Sequence, residues 1–244
     1  MSMPPQYDDA TLRRLLDLQA EDTAILRLQE RKASLPEARR LAEINEQLAE
    51  LTADIEIATK QNDEIGREQA RLEDEIATVG QKVTREEERM FSGKVANPKE
   101  LSALQAEVES LKRKSGGIED QLLEVMVQKD DAAGTLASLT TEHSASTAQA
   151  TDLSAEVSKL SGEIDAELAE HQAKREQIAT EISSELLAQY EKIREKQHGV
   201  GAAKLEGGTC SGCHTKLSNV EVERLKAAHG LQRCEYCRRI LIVV

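Results

Sequence analysis

The chain has 244 residues, but aromatics are only 2% of it and Trp is absent, far below the aromatic payload of a compact core this long. Charged residues reach 32% and the formal net charge is −13, with Ala, Leu, Glu, Gln, Lys and Arg dominant, a composition that signals long helices or coiled coil. No apolar run approaches the roughly 18 residues of a membrane span, and Met1 to Ala10, with Pro4, Pro5, Asp8 and Asp9, has no apolar signal region. The expectation is a cytoplasmic protein with no membrane partner.

The charge is uneven. Residues 199–244 carry +3, which leaves −16 on residues 1–198. An arm that acidic does not suit wrapping nucleic acid along its length. A solvated helix surface kept soluble by its charge is the plainer account.

In chain order, a first helix is expected from about Asp8 to Ala33. Pro36 breaks or kinks it near residues 34–36, because proline removes a helical hydrogen bond and clashes with the preceding turn. From Leu41 an apolar seam runs at alternating steps of three and four: Leu41, Ile44, Leu48, Leu51, Ile55, Ala58, Asn62, Ile65, Gln69, Leu72, Ile76, Val79, Val83. That is coiled-coil spacing. A second seam runs from Leu101 through Leu104, Val108, Leu111, Ser115, Ile118, Leu122, Val125 and Lys129 to Ile164, followed by a stutter at Leu168.

Between the seams, near residues 91–98, the chain reverses. Gly93 supplies a turn, Asn97 is an N-cap, Pro98 suits the first helical position, and Glu100 completes a capping box. The arms therefore form an antiparallel hairpin. Pairing the seams so that residue numbers sum to 187 puts Val83 on Leu104, Leu72 on Ser115, Ile65 on Leu122, Leu51 on Leu136 and Ile44 on His143. Asn62, Gln69, Ser115, Lys129 and His143 are then polar seam residues that specify register at some cost in stability. Gly116-Gly117 weakens the second arm. An arm of fifty residues spans roughly 75 Å. The second long helix is expected to continue to about Gln197, where Gly199 and Gly201 end it.

The C-terminal stretch reads as a short strand at Val200–Leu205, then Cys210-Ser-Gly-Cys213. A short helix follows, opened by Ser218 with Glu221 and closed by Gly230. Then come Cys234-Glu-Tyr-Cys237 and a terminal strand over Arg239–Val244. These four cysteines are the only ones in the chain. Two residues between thiolates let one tight turn aim both sulfurs at one ion, and a second such turn completes a tetrahedron. The expectation is one structural Zn2+ on Cys210, Cys213, Cys234 and Cys237. A closed four-thiolate shell has no open position and does not activate water. Iron in a rubredoxin-like site uses the same ligands. Disulfides would need an oxidising compartment, and a redox C-x-x-C would need a βαβ setting. His214 and Arg238 follow the two pairs, where glycine is common. So few apolar residues cannot hold about 45 residues together alone, so the metal supplies much of the folding free energy.

The fold class is therefore mainly α: a long antiparallel coiled-coil hairpin over residues 1–198 with a small zinc-ribbon module over residues 199–244. At this point the residues resemble the bacterial family that joins a coiled-coil hairpin to a four-cysteine zinc ribbon. The matching elements are Asn97-Pro98-Lys99-Glu100-Leu101 at the turn, Leu111-Lys112-Arg113 after it and Tyr190-Glu-Lys-Ile-Arg194 in the last helix. The two cysteine pairs and the terminal Cys237-Arg-Arg-Ile-Leu complete the match. It covers nearly the whole chain. Arg238 and Leu241 stand where the family often has Gly and an aromatic. The resemblance implies a cytoplasmic, non-enzymatic adaptor or regulator. Some relatives bind the nitrogen-type alternative sigma factor and influence flagellar gene expression, and an RNA-binding role has been proposed. Tyr190 and Arg194, one helical turn apart, are candidates for docking the ribbon on the helices; seam packing and a solvated charge are the plainer readings.

Three functions compete. The first is a protein-interaction scaffold with an unidentified protein partner, a sigma factor or transcription machinery by the resemblance. The second is nucleic-acid binding by Lys216, Lys226, Arg233, Arg238 and Arg239 on phosphates, with Tyr236 the only aromatic available for stacking. The third is an RNA-polymerase regulator whose coiled-coil tip carries Glu86, Glu87 and Glu88 towards a catalytic magnesium, although Lys94 and Lys99 lie at the same tip. An enzyme is the least favoured class, because no phosphate-binding loop or nucleophile–base constellation is present, and no small-molecule substrate is expected.

Overall fold

The structure is a computed structural model that describes residues 7–95, 97–228 and 230–243. Among the described residues five helices come in the order α1 (Asp9–Ala33), α2 (Pro36–Phe91), α3 (Pro98–Thr180), α4 (Ser184–Lys196) and α5 (Asn219–Ala227). Among the same residues four strands, β1 (Ala202–Glu206), β2 (Thr209–Cys210), β3 (Gln232–Arg233) and β4 (Ile240–Val243), lie around α5 in sequence. Ala96 in the turn and Val244 in the terminal strand lie outside the described residues. Among the described residues no helix is long and apolar enough to cross a membrane. The chain divides into two units: Arg40–Asp152, and Met1–Arg39 with Leu153–Val244.

Residues Arg40–Asp152 form the hairpin. Asn97 opens α3: its side chain accepts from the Lys99 amide at 3.0 Å and its carbonyl from the Leu101 amide at 3.1 Å. Gly93 takes φ 71°, the left-handed conformation that suits glycine. Glu100 does not close a capping box. It reaches across the turn to Arg89 at 3.0 Å, because an opposite charge is there to meet it.

The register differs from the expected one. Leu72, Val79 and Ile118 form one buried cluster, with Ile76, Val83, Leu111, Leu122 and Val125 against it, whereas Leu104 and Val108 are buried outside this cluster. The expected pairing put Val83 on Leu104 and Val79 on Val108. His143, expected on Ile44, lies with Nε2 3.3 Å from Thr52 Oγ1. Lys129 Nζ donates to Gln69 Oε1 at 2.8 Å. The arms are thus slid by one heptad. The expected pairing left Gln69 facing Ile118 and Lys129 facing Ala58, two polar groups opposite apolar ones. The slide joins those two polar groups, so Gln69 and Lys129 satisfy each other where either alone would be unpaired. Asn62 gains no such partner among the described residues, and its buried Oδ1 is unpaired.

The other unit holds the sheet and its helical support. Asp8 caps α1 through the Thr11 amide at 2.8 Å, and α1 stops at Ala33 before α2 starts at Pro36. The last long helix does not run unbroken to Gln197. It stops at Thr180 and restarts at Ser184. No proline or glycine marks this break. The amides of Glu181 and Ile182 turn back to Ile178 and Ala179 in tight i to i−3 bonds. The redirected α4 then buries Leu186, Tyr190 and Ile193 in one cluster with Leu15, Leu18 and Ile182. Tertiary burial overrides a sequence that would otherwise continue as helix.

The sheet order is β2-β1-β4-β3, with β1 and β4 parallel and the outer pairs antiparallel. Alternation along the strands sends side chains to opposite faces. Ala202, Ile240 and Ile242 enter the helical cluster, while Ala203, Leu205 and Leu241 enter a second one with Cys210, Cys234, Leu217 and Leu225. The central strand β4 is therefore apolar on both faces, as its run Ile240-Leu241-Ile242-Val243 requires.

Candidate metal centre

Each cysteine pair sits in the same turn. The His214 amide donates to the Cys210 carbonyl at 2.8 Å, and the Arg238 amide to the Cys234 carbonyl at 3.0 Å. The first cysteine of each pair donates its own amide five residues on, Cys210 to Thr215 at 3.1 Å and Cys234 to Arg239 at 3.0 Å. His214 and Arg238 hold φ 55° and 64°. These are the positions where glycine would be relaxed, and both turns keep their shape with a side chain present at a cost of roughly 1–2 kcal/mol each.

The two turns bring all four sulfurs within 4.8 Å of one another. Cys210 and Cys237 Sγ are 3.9 Å apart, as are those of Cys213 and Cys234. Zinc–sulfur bonds of about 2.3 Å give a tetrahedral edge of about 3.8 Å. The cluster therefore has the dimensions of a four-thiolate zinc shell. Such an ion supplies a cross-link between the two turns, and the closed shell leaves no coordination position for a substrate. Burial pushes the Cys210 and Cys234 thiols up. Without a cation these sulfurs resist ionising, and with one they must be thiolates, so proton and metal compete for them. Gly212 is needed inside the first turn: a Cβ there would lie 2.6 Å from Arg239 Cδ and 3.0 Å from Ala203 Cβ.

A buried polar network seats this module on the helices. The Gln19 side chain reads the backbone that leads into β1: Nε2 donates to the Gly199 carbonyl at 3.1 Å, and Oε1 accepts from the Gly201 and Ala202 amides at 2.6 and 3.1 Å. Tyr190 is fully buried. Its hydroxyl donates to Asp22 Oδ2 at 2.6 Å and lies 3.1 Å from Gln19 Oε1. Burial, reinforced by the Asp22 charge, pushes the Tyr190 phenol well above its usual value. Asp22 accepts from Arg175 Nε at 2.7 Å and is 3.6 Å from Arg194 Nη1. Glu191 bonds Arg175 and, at 2.7 Å, Arg194 Nε. Two carboxylates and two guanidiniums thus balance where an unpaired charge would be expensive. Gly201 has no alternative, since a Cβ would meet Tyr190 ring carbons at 2.7 and 2.8 Å.

Tyr190 and Arg194 thus belong to the network that meets the Gly199–Ala202 backbone, Tyr190 directly and Arg194 through Glu191 and Asp22. Gln19, Asp22, Arg175 and Glu191 complete it and were not anticipated. Their signal was available in α1: Gln19 and Asp22 continue the helical face of Leu15 and Leu18, so two polar side chains stand on an apolar stripe. Arg239, expected as a partner contact, is instead buried. Its guanidinium donates to the Val200 and Gln197 carbonyls, both at 3.0 Å, in the segment just after α4, where the negative end of the helix favours a cation. Lys216, Lys226, Arg233, Tyr236 and Arg238 are exposed. Lys226 pairs with Glu223 at 3.0 Å and Arg233 bonds Gln189 at 3.2 Å.

A family model described as the CT398-like coiled coil hairpin domain matches residues 18–198, and one described as the C4-type zinc ribbon domain matches residues 209–241. The chain belongs to the CT398-like coiled-coil hairpin family. A Mycobacterium tuberculosis protein, described only as uncharacterised, is 29% identical over 241 residues, covering 96% of this chain and 95% of its own. A solved structure from Mycobacterium smegmatis is 25% identical with a TM-score of 0.86, covering 98% of this chain and all of its own. The structure of CT398 from Chlamydia trachomatis shares the fold, at a TM-score of 0.73 and 21% identity over 96% of this chain and 98% of that one. The four clustered cysteines lie in the stretch that matches the C4-type zinc ribbon and hold one structural zinc ion.

Proposed function

We propose that the protein is a non-enzymatic adaptor of the cytoplasm that uses the coiled-coil hairpin and the zinc ribbon as two recognition surfaces for protein partners. The family resemblance points those partners towards transcription or gene-expression control, a sigma factor or the transcription machinery. The supporting observation is the way the ribbon is held. Gln19 bonds three backbone groups at its entry, Arg239 bonds the Val200 carbonyl between them, and the Tyr190 ring, its hydroxyl held by Asp22, packs against Gly201. A module locked this firmly presents its exposed residues at low entropic cost on binding, which is what a recognition element needs. Tyr236 is 59% exposed within the second cysteine turn and is the aromatic available to anchor such a contact.

Nucleic-acid binding is the second reading. It rests on the exposed Lys216, Arg233 and Arg238. It loses Arg239 to the interior and has Lys226 engaged by Glu223.

The deciding experiment is a tagged pull-down from native lysate, split into nuclease-treated and untreated halves. A discrete protein retained after nuclease supports the adaptor. Recovery of RNA or DNA alone, with an affinity that falls steeply with salt, moves the function to the ribbon's basic residues.

A further inference from the structure

One face of α3 is unlike the rest of the hairpin. Leu123, Met126 and Val127 stand at i, i+3 and i+4 and are 62%, 44% and 63% exposed. Single exposed apolar residues are ordinary, but three on one helical face form a stripe of the kind that helices use to dock on one another. The heptad seam does not use them. The residues that face α2 in this stretch are the neighbouring Leu122 and Val125, which pack against Leu72, Val79 and Ile118.

The charges around the stripe are one-sided. From residue 115 to residue 158, α3 carries Glu119, Asp120, Glu124, Asp130, Asp131, Glu142, Asp152 and Glu156 against a single cation, Lys129. The Lys129 amino group is turned into the seam towards Gln69. Asp120, Glu124, Asp130 and Asp131 are all exposed and have no ion pair among the described residues. Elsewhere on the hairpin, from residue 40 to residue 114, lysines and arginines are interspersed with the carboxylates, and Glu68 and the half-buried Glu75 and Glu87 each have one within 4.0 Å. An apolar stripe rimmed by uncompensated carboxylates is complementary to an apolar stripe rimmed by cations. A second copy of the same face would bring Asp120 and Asp130 against like charges, which disfavours self-association there.

We propose that this face of α3, centred on Leu123, Met126 and Val127, docks an amphipathic helix of a partner protein whose apolar residues are flanked by lysines and arginines. The docked helix adds a third strand to the hairpin, with its apolar side on the stripe and its cations over Asp120, Glu124, Asp130 and Asp131. The proposal rests on the adaptor reading and assigns it a surface and a partner chemistry.

The test places a photo-crosslinking p-benzoyl-phenylalanine at Val127 in the full chain, expressed in the cells that naturally make it, with the same replacement at Tyr236 in the ribbon as a comparison. The crosslinked peptide is then sequenced by mass spectrometry. The expected product at Val127 is a segment with apolar residues at i, i+3 and i+4 and Lys or Arg beside them. Its yield should fall at least fivefold when Asp120→Lys and Asp130→Lys are combined, with the helical circular dichroism unchanged. A crosslink to a second copy, to an acidic segment, or with a yield indifferent to the charge reversal overturns the proposal. No product at Val127 alongside a protein captured at Tyr236 overturns it while the adaptor reading stands. No protein captured at either position removes both.

Discussion

The hairpin over Arg40–Asp152 and the ribbon with its supporting helices are stabilised by opposite strategies. The hairpin repeats one weak rule many times: an apolar residue every three or four positions, each layer resembling the next. The ribbon region, its two like cysteine turns apart, repeats nothing. Its order depends on single residues that have no substitute, such as Gln19 with three backbone bonds and Gly201 against the Tyr190 ring. A repetitive structure tolerates the loss of one layer but is ambiguous in register. A structure built from unique contacts is unambiguous and fails when one is removed.

The sharpest way to separate the two is to remove the metal. The second apolar cluster, with Ala203, Leu205, Leu217, Leu225 and Leu241, is too small to fold about 45 residues unaided. Structural zinc sites contribute apparent binding free energies of about 10–16 kcal/mol. Chelation, or Cys234→Ser, is expected to abolish amide protection across β1 to β4 and leave the helical circular dichroism of the hairpin nearly intact. Hydrogen exchange read segment by segment checks this. Equal loss of protection in both regions would show that they are one cooperative unit.

Next in size is the buried network. Asp22→Asn leaves Arg175 and Arg194 short of a carboxylate and is expected to cost about 3–5 kcal/mol. Tyr190→Phe removes a hydrogen bond to a charged group, worth about 1.5–3 kcal/mol. The pH dependence has a definite sign. The Tyr190 phenol is raised in the folded state, so its contribution is complete below the unfolded value of about 10 and is lost as pH rises above it. Chemical denaturation of the two proteins from pH 8 to 11 should show the stability gap between wild type and Tyr190→Phe narrowing above about pH 10. A gap that stays constant would mean that the hydroxyl contributes nothing specific to the protonated form.

Smaller still is the strain at the cysteine turns. Because His214 and Arg238 hold positive φ, His214→Gly and Arg238→Gly are each expected to stabilise the ribbon by about 1 kcal/mol. The measure is zinc retention against a competing chelator. A loss of retention would show that these side chains make a contact worth more than the strain they impose.

The same contrast explains what could be read in advance. Cysteine spacing is a local geometric requirement, so the ligand set was legible as a motif. Heptad seams and the Asn97-Pro98 helix start were legible for the same reason, since each depends on neighbours in sequence. The heptad slide was not, because shifting by seven residues returns every apolar position to an apolar position. The turn signals alone could not arbitrate. The break between Thr180 and Ser184 was not legible either: its cause is the burial of Ile182, Leu186 and Tyr190 against α1, more than 150 residues earlier in sequence. Arg239 looked like a surface cation from its setting between Arg238 and Ile240. Only the segment between α4 and β1, brought alongside by the fold, gives it two carbonyls to bond.

The smallest effect is the one that tests the register most directly. Gln69 and Lys129 meet only because the arms are slid by a heptad, and their bond is part-buried at 2.8 Å. A single hydrogen bond of this kind contributes about 0.5–1.5 kcal/mol. A double-mutant cycle with Gln69→Ala and Lys129→Ala, read by thermal or chemical denaturation, should therefore give a coupling of about 0.5–1 kcal/mol. In the other register Lys129 lies opposite Ala58, and the two substitutions act independently. Ala58→Lys sharpens the distinction, because it would crowd Lys129 in that register and leave it undisturbed in this one. Additivity of the first pair, together with strong coupling of Ala58→Lys to Lys129→Ala, would place the arms one heptad back. The polar seam residues would then be unsatisfied defects, with no part in setting the register.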